Sequence, residues 1–218
     1  MKKIYTMILM AAILFLTSCE GHKEPVDYSL QVGNILCADG SVIPPSTYEG
    51  RNDGVAVVAY VGTEEDAYKI IAIGIDEIGK GNFTNTNKEL GSNDGDKNTI
   101  TGKENTAIMV KAMLEDETVK YPAVQLVTSY NKINISGWHL PSCGELGEVY
   151  KNKRKINSSL SLIGGKELET QTYISSTQDG RSSDTKAVYC FCVNMKDGIV
   201  TSVLNSEKID VRPFIAIR

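Results

Sequence analysis

Two histidines, five cysteines and a few acidic stretches carry most of the reactive chemistry available to this 218-residue chain. His22 lies in a polar N-terminal stretch, so any Ser/His/Asp or Cys/His system would depend on His139 alone. No G-x-S-x-G elbow, phosphate-binding glycine loop or histidine pair at metal-ligand spacing accompanies it. Cys190 and Cys192, in AVYCFCVNM, would share one face of a strand. Exposed thiols there would allow cysteine-dependent oxidase chemistry, whereas the apolar flanks favour buried core cysteines or a disulfide to Cys37 or Cys143. A bridge within the pair is disfavoured, because i and i+2 side chains on one strand lie about 7 Å apart.

The runs Glu64-Glu65-Asp66 and Glu115-Asp116-Glu117 read as solvated surface. Asp94-Gly95-Asp96-Lys97-Asn98 offers oxygen donors suited to calcium, but Thr99 stands where an EF-hand has glycine and Asn105 where it has glutamate. No cofactor or metal is expected, with calcium the one ion to check. The ligand-binding candidates are Gln178, Asp179, Arg181 and Asp184, in a loop between two core strands. Their amide, carboxylate and guanidinium groups suit the hydroxyls of a glycan.

Composition is that of one globular domain with a tail: 41% hydrophobic and 23% charged residues. A formal charge of -4 argues against nucleic acid, which demands clustered Lys and Arg. The longest apolar run, residues 7–16, is too short to span a bilayer. It follows Lys2 and Lys3 and leads to small residues before a cysteine, the order of a secretory signal. Leu16-Thr17-Ser18-Cys19 resembles the lipobox of bacterial lipoproteins, which implies cleavage before Cys19 and lipidation of its thiol. Without residues 1–18 the chain keeps 21 cations against 27 carboxylates, a charge of -6. By analogy with lipoprotein sorting, Glu20 rather than Asp after Cys19 implies the outer membrane, on its periplasmic or cell-surface face. The expected organisation is a signal peptide (1–18), a lipid-anchored tether (19–34) and one domain (35–218).

The elements that must position these groups follow from hydrophobic period. Residues 28–48 read as a strand, a turn at Asp39-Gly40 and a second extended piece. VAVVAYV (55–61) and KIIAIGI (69–75) read as strands covered on both faces. Residues 79–102, rich in Gly, Asn and Thr, read as one long loop. Residues 106–114 and 123–130 have helical spacing, with Pro122 at a first-turn position. Ser142-Cys143-Gly144-Glu145 has the form of a capping box opening a helix to about Lys151. A short helix over 157–163 ends at Gly164-Gly165. Residues 171–176, 187–195, 199–204 and 211–218 read as strands, with a tight hairpin at Asp197-Gly198. The class is α+β, with antiparallel strands at both ends of the chain and helices in the centre.

Tyr121-Pro122-Ala123, Gly137-Trp138-His139-Leu140-Pro141-Ser142, Glu145-Leu146, Ile156 to Leu160 and Tyr173-Ile174-Ser175-Ser176-Thr177 occur in order. They resemble the W-x-L-P-[ST]-x-x-E-L … Y-W-S-S-T pattern of the Lcl C-terminal domain family, named after a collagen-like surface adhesin. Asp39-Gly40, residues 54–61 and the terminal residues 211–217 are similar to its flanking segments, so the likeness spans roughly 35–218. Ile174 stands where that family has Trp, and His139 where Arg or Tyr is common. The resemblance implies a C-type-lectin-like fold, related in fold to formylglycine-generating enzymes, on a bacterial surface protein. The function implied is non-catalytic binding of a glycan or surface polymer. The alternative is a structural or accessory subunit of a fimbria-like or polysaccharide-handling assembly. Trp138, beside Leu-Pro at a helix entry, reads as a core anchor rather than a sugar platform.

Overall fold

A computed structural model describes residues 26–87, 95–133, 135–180 and 188–218. Cys19, Arg181 and Asp184 lie outside the described residues. The elements in order are β1 (Ile35–Cys37), β2 (Val42–Ile43), a 3-10 turn (Pro45–Thr47), β3 (Gly54–Val61), β4 (Ile70–Gly74), β5 (Lys80–Gly81), α1 (Gly102–Glu115) and α2 (Pro122–Ser129). They continue with β6 (Trp138–His139), α3 (Cys143–Lys151), α4 (Lys153–Leu162), β7 (Thr172–Asp179), β8 (Tyr189–Asn194), β9 (Val200–Leu204), β10 (Ile209–Asp210) and β11 (Phe214–Ile217).

The fold is mixed α+β, with four helices and two sheets among the described residues. One sheet runs β2-β1-β3-β4-β11-β6 and the other β5-β10-β7-β8-β9; every pairing is antiparallel except β10 with β7. The last strand, β11, lies between β4 and β6, so both ends of the body share one sheet. β3 and β4 are buried on both faces, as their continuous β-branched runs require. Val57, Ile71, Ile73 and Phe214 pack with Leu146 and Val149 of α3, Ile156 and Leu160 of α4, and Tyr173, Phe191 and Val193 of the second sheet. That sheet's other face, including Ile174, Cys190 and Cys192, is covered by Met109 of α1 and by Ala123, Val124 and Val127 of α2. Each buried Leu or Ile contributes about 1.5–3 kcal/mol relative to exposure.

Trp138 is buried as a core anchor: its Nε1 donates to the Ile135 carbonyl at 2.9 Å, and Tyr130 meets its ring edge-on. Tyr130 in turn donates to Asp76 at 2.7 Å, and Lys132 pairs with the same carboxylate at 2.9 Å. This network ties the end of β4 to the segment entering β6. Arg212 is wholly buried; its Nε donates to the Gly74 carbonyl (2.7 Å) and its Nη2 to those of Ile75 (3.1 Å) and Lys166 (2.8 Å).

Several expectations are corrected. The tether does not reach residue 34: Val32 packs on the main core, Gly33 N–H donates to the Val58 carbonyl, and Ser159 Oγ donates to the Gly33 carbonyl. Residues 79–102 are not one loop. Gly81 lies in β5, where a Cβ would sit 2.7 Å from the Ala123 Cα, and Phe83 is a core residue meeting Tyr121 edge-on. The helix expected over 157–163 starts at Lys153, because Asn152 closes α3 and opens α4 without an intervening loop. The hairpin after β8 is wider than a two-residue turn: Asn194 N–H donates to the Ile199 carbonyl, with Gly198 at φ +74° inside the loop. No described helix is long and apolar enough to cross a membrane.

Partial burial opposes the charge on Asp76, but the hydrogen bonds from Tyr130 and Lys132 outweigh it and hold its carboxyl below the ordinary range. A folded value below the unfolded one gives stability that is complete above the unfolded carboxylate value, about 3.9, and is lost as pH falls through the folded value. Asp76→Asn is expected to be less stable than the native chain at neutral pH. The gap should shrink as pH drops below about 4, read as urea midpoints against pH; a pH-independent gap would assign the effect to packing.

Candidate functional site

The strand β7 carries five consecutive buried polar residues, Ser175, Ser176, Thr177, Gln178 and Asp179. A polar run of this kind survives burial only when its groups are paired. The register with β8 slips by two residues between Ile174 and Gln178, so residues 175–177 leave the ladder. They turn instead toward the helix starts. Ser176 N–H donates to the Pro141 carbonyl at 2.7 Å, its Oγ accepts from Asn105 at 3.2 Å, and Thr177 Oγ1 accepts from Cys143 N–H at 3.0 Å.

Beside this run stands the capping box expected from the sequence. Ser142 Oγ accepts from Glu145 N–H at 3.2 Å, and Glu145 Oε2 accepts from Ser142 N–H at 3.1 Å. The structure adds partners that lie far off in sequence. Glu145 Oε1 accepts from Gly102 N–H (3.0 Å) at the start of α1, and Oε2 also meets His139 Nε2 at 3.1 Å. A carboxylate only accepts, so His139 holds its proton on Nε2. Ser142 Oγ donates to the Thr99 carbonyl at 2.7 Å. The segment before α1 is thereby pressed onto α3: a Cβ on Gly144 would lie 2.4 Å from the Thr99 oxygen.

The sequence placed Gln178 and Asp179 in a loop; they are instead the last residues of β7, 4% and 5% exposed. The strand outlasts its apolar stretch because β8 continues to pair with it, Gln178 opposite Cys190 and Asp179 opposite Tyr189. The attachment points of two polar segments, 88–94 and 181–187, meet at this end of the second sheet. A Cβ on Gly95 would lie 3.2 Å from the Gly180 nitrogen. Asn205 donates its side-chain amide to the Thr86 carbonyl (2.9 Å) and its N–H to the Val188 carbonyl (2.9 Å). The fold therefore brings Gly180 beside Gly95, and Val188 through Asn205 near Thr86, residues more than eighty positions apart in the chain.

Among the described residues, the other candidates stand in separate environments. Cys37, Cys143, Cys190 and Cys192 are all reduced and buried. Burial pushes the Cys143 thiol up to about 11, and the hydrogen bond with Cys192, together with burial, holds Cys190 well above the ordinary thiol range. The exposed, reactive thiols required for oxidase chemistry are not what this arrangement provides. His139 is committed to Glu145 inside the core. Among the described residues one group has metal-ligand spacing, Cys37 with Asp39 and Asp53, and Arg51 already pairs with both carboxylates there, at 3.5 and 2.5 Å. The acidic runs at 64–66 and 115–117 are exposed.

Arg212, the Asp76 network and the link from Glu145 to Gly102 were not read from sequence. An arginine inside the apolar run VRPFIAI was the one available signal, since a buried guanidinium must find several acceptors.

Removing the Glu145 side chain strands two buried amide donors and His139 Nε2, so Glu145→Ala is expected to lower unfolding free energy by about 3 kcal/mol or more; a loss under about 1 kcal/mol in urea titration would show that water replaces the carboxylate. A thiol reagent should leave all four body cysteines unlabelled in the native protein and label them after unfolding. Rapid native labelling of Cys190 or Cys192 would restore the oxidase reading. Comparison of the chain with protein-family models finds no match, and comparison with curated proteins finds no similar sequence.

Proposed function

We propose that this chain is an outer-membrane lipoprotein anchored through Cys19, whose body is a C-type-lectin-like domain of the Lcl C-terminal type. It binds a glycan or other surface polymer without catalysis. The observation that carries the reading is the approach of Gly95 to Gly180, and of Thr86 to Val188 through Asn205, at the end of β7 where its buried polar run stops. A rigid strand end flanked by two polar segments suits recognition of hydroxyl-rich ligands, where hydrogen bonds set specificity and a fixed scaffold limits the entropy lost. In this reading Arg181 and Asp184, which follow Gln178 and Asp179 in the chain, supply the donor and acceptor of the site. The sharing of one sheet by both ends of the body, with the helices between, supports the lectin-like architecture.

The alternative, a structural or accessory subunit of a surface assembly, draws on β9. This edge strand of the second sheet exposes Leu204 and the preceding Ile199. Pairing parity with β8 turns the backbone groups of Val200 and Ser202 outward, where they could accept a further strand.

The test is a glycan-array measurement on the mature chain from residue 19, with calcium and with chelator, repeated on Arg181→Ala. Saturable binding that falls at least about tenfold in the variant, the loss expected for one charge-assisted hydrogen bond, supports the site. Sensitivity to chelator would bring calcium into it. Absence of binding to every glycan class would favour the assembly role, to be pursued by partner capture from envelope fractions.

A further inference from the structure

The body is acidic, yet one stretch of it, bordered by Glu148 and Glu167, is cationic. From Lys151 to Lys166 the chain carries five cations and no carboxylate, although Asp and Glu outnumber Lys and Arg over the whole sequence, 27 to 23. Helix α4 runs through this stretch. Ile156, Ser159 and Leu160 face the core, and the 3.6-residue period leaves Arg154, Lys155, Ser158, Ser161 and Leu162 on the solvent face. Leu162 is half exposed on the same side of the helix, two turns beyond Lys155. Lys151 pairs with Glu148 at 2.7 Å, and Lys153 donates to the Met195 carbonyl. Arg154 and Lys155 have no carboxylate partner among the described residues.

The same face receives the N-terminal lead of the body. Asp27, Gln31 and Gly33 line a cleft with Lys155 and Ser158, and a Cβ on Gly33 would lie 3.6 Å from Lys155 Cβ. Asp27 is occupied by Ser29 N–H and the Gln31 amide. Val26 lies seven residue steps beyond Cys19, a reach of at most about 25 Å. A lipid on Cys19 would therefore keep α4 close to the bilayer.

We propose that the solvent face of α4 docks on the phosphate-bearing headgroups of an anionic lipid surface, with Arg154 and Lys155 as the attracting charges and Leu162 entering the headgroup boundary. The chemistry is that of a basic patch beside a membrane anchor, which adds attraction to anionic headgroups and selects the face of the body that meets the surface. The anchor reading enters only in saying which surface is near; the docking itself rests on the helix.

The experiment uses the mature chain from residue 19 with Cys19→Ser, so that no lipid contributes. It measures co-sedimentation with vesicles of phosphatidylcholine alone and of phosphatidylcholine mixed with phosphatidylglycerol. Binding is expected to the mixed vesicles only and to fall as salt rises. At roughly fivefold per cation, Arg154→Gln with Lys155→Gln should weaken it by about 25-fold. The charge-matched pair Lys111→Gln with Lys120→Gln, on and after α1, should not weaken it. Equal binding to both vesicle types, binding to neither, or equal loss in the two double variants would overturn the proposal. The mass of the N-terminal residue in cells decides lipidation of Cys19 separately, so either reading can fail alone.

Discussion

The Glu145 carboxylate is the point on which the arrangement of helices depends. It accepts from Ser142 N–H at the cap of α3 and from Gly102 N–H at the start of α1, so two helix N-termini face one negative charge. Each terminus carries about half a positive charge, and the pair compensates the desolvation of a side chain only 2% exposed. His139 adds a third donor from β6. A shorter residue would leave donors from three elements facing each other without an acceptor. The path of residues 95–101, the start of β6 and the angle between α1 and α3 all follow from this contact.

Arg212 plays the complementary part at the far end of β4. Its guanidinium gathers the carbonyls of Gly74, Ile75 and Lys166, and the Ile75 carbonyl also accepts from Lys166 N–H, so β4 is tied to the turn after α4 by backbone and side chain together. A buried cation is expensive to desolvate, and here three carbonyls share its compensation. The Asp76, Tyr130 and Lys132 network closes the neighbouring edge. The body is thus held by two large apolar clusters and by a few buried polar ties at the strand ends.

Charge and polarity are distributed unevenly around this frame. The end of β7 gathers hydroxyl, amide and carboxylate groups where two polar segments attach, while α4 gathers cations beside the N-terminal lead. The two regions draw on separate elements, β7 and α4, so the proposed ligand site and the proposed docking face can be tested independently.

Local patterns in the sequence determined much of this. β-branched runs gave β3 and β4, the 3.6-residue period gave α1 and α2, and S-x-x-E gave the cap of α3, because each depends on neighbours within one helical turn or one strand. Trp138 as an anchor and the α+β class followed from the same reasoning. Tertiary structure decided the remainder. Glu145 was legible as a cap but not as the acceptor for Gly102, 43 residues away. Gln178 and Asp179 looked like loop residues because their polarity is local, whereas their burial comes from pairing with β8 across a chain reversal. The approach of Gly95 to Gly180, and of residues 27–33 to α4, arises from sheet order and helix packing. Contacts between distant residues have no signature in a local pattern, so only the folded chain could place them.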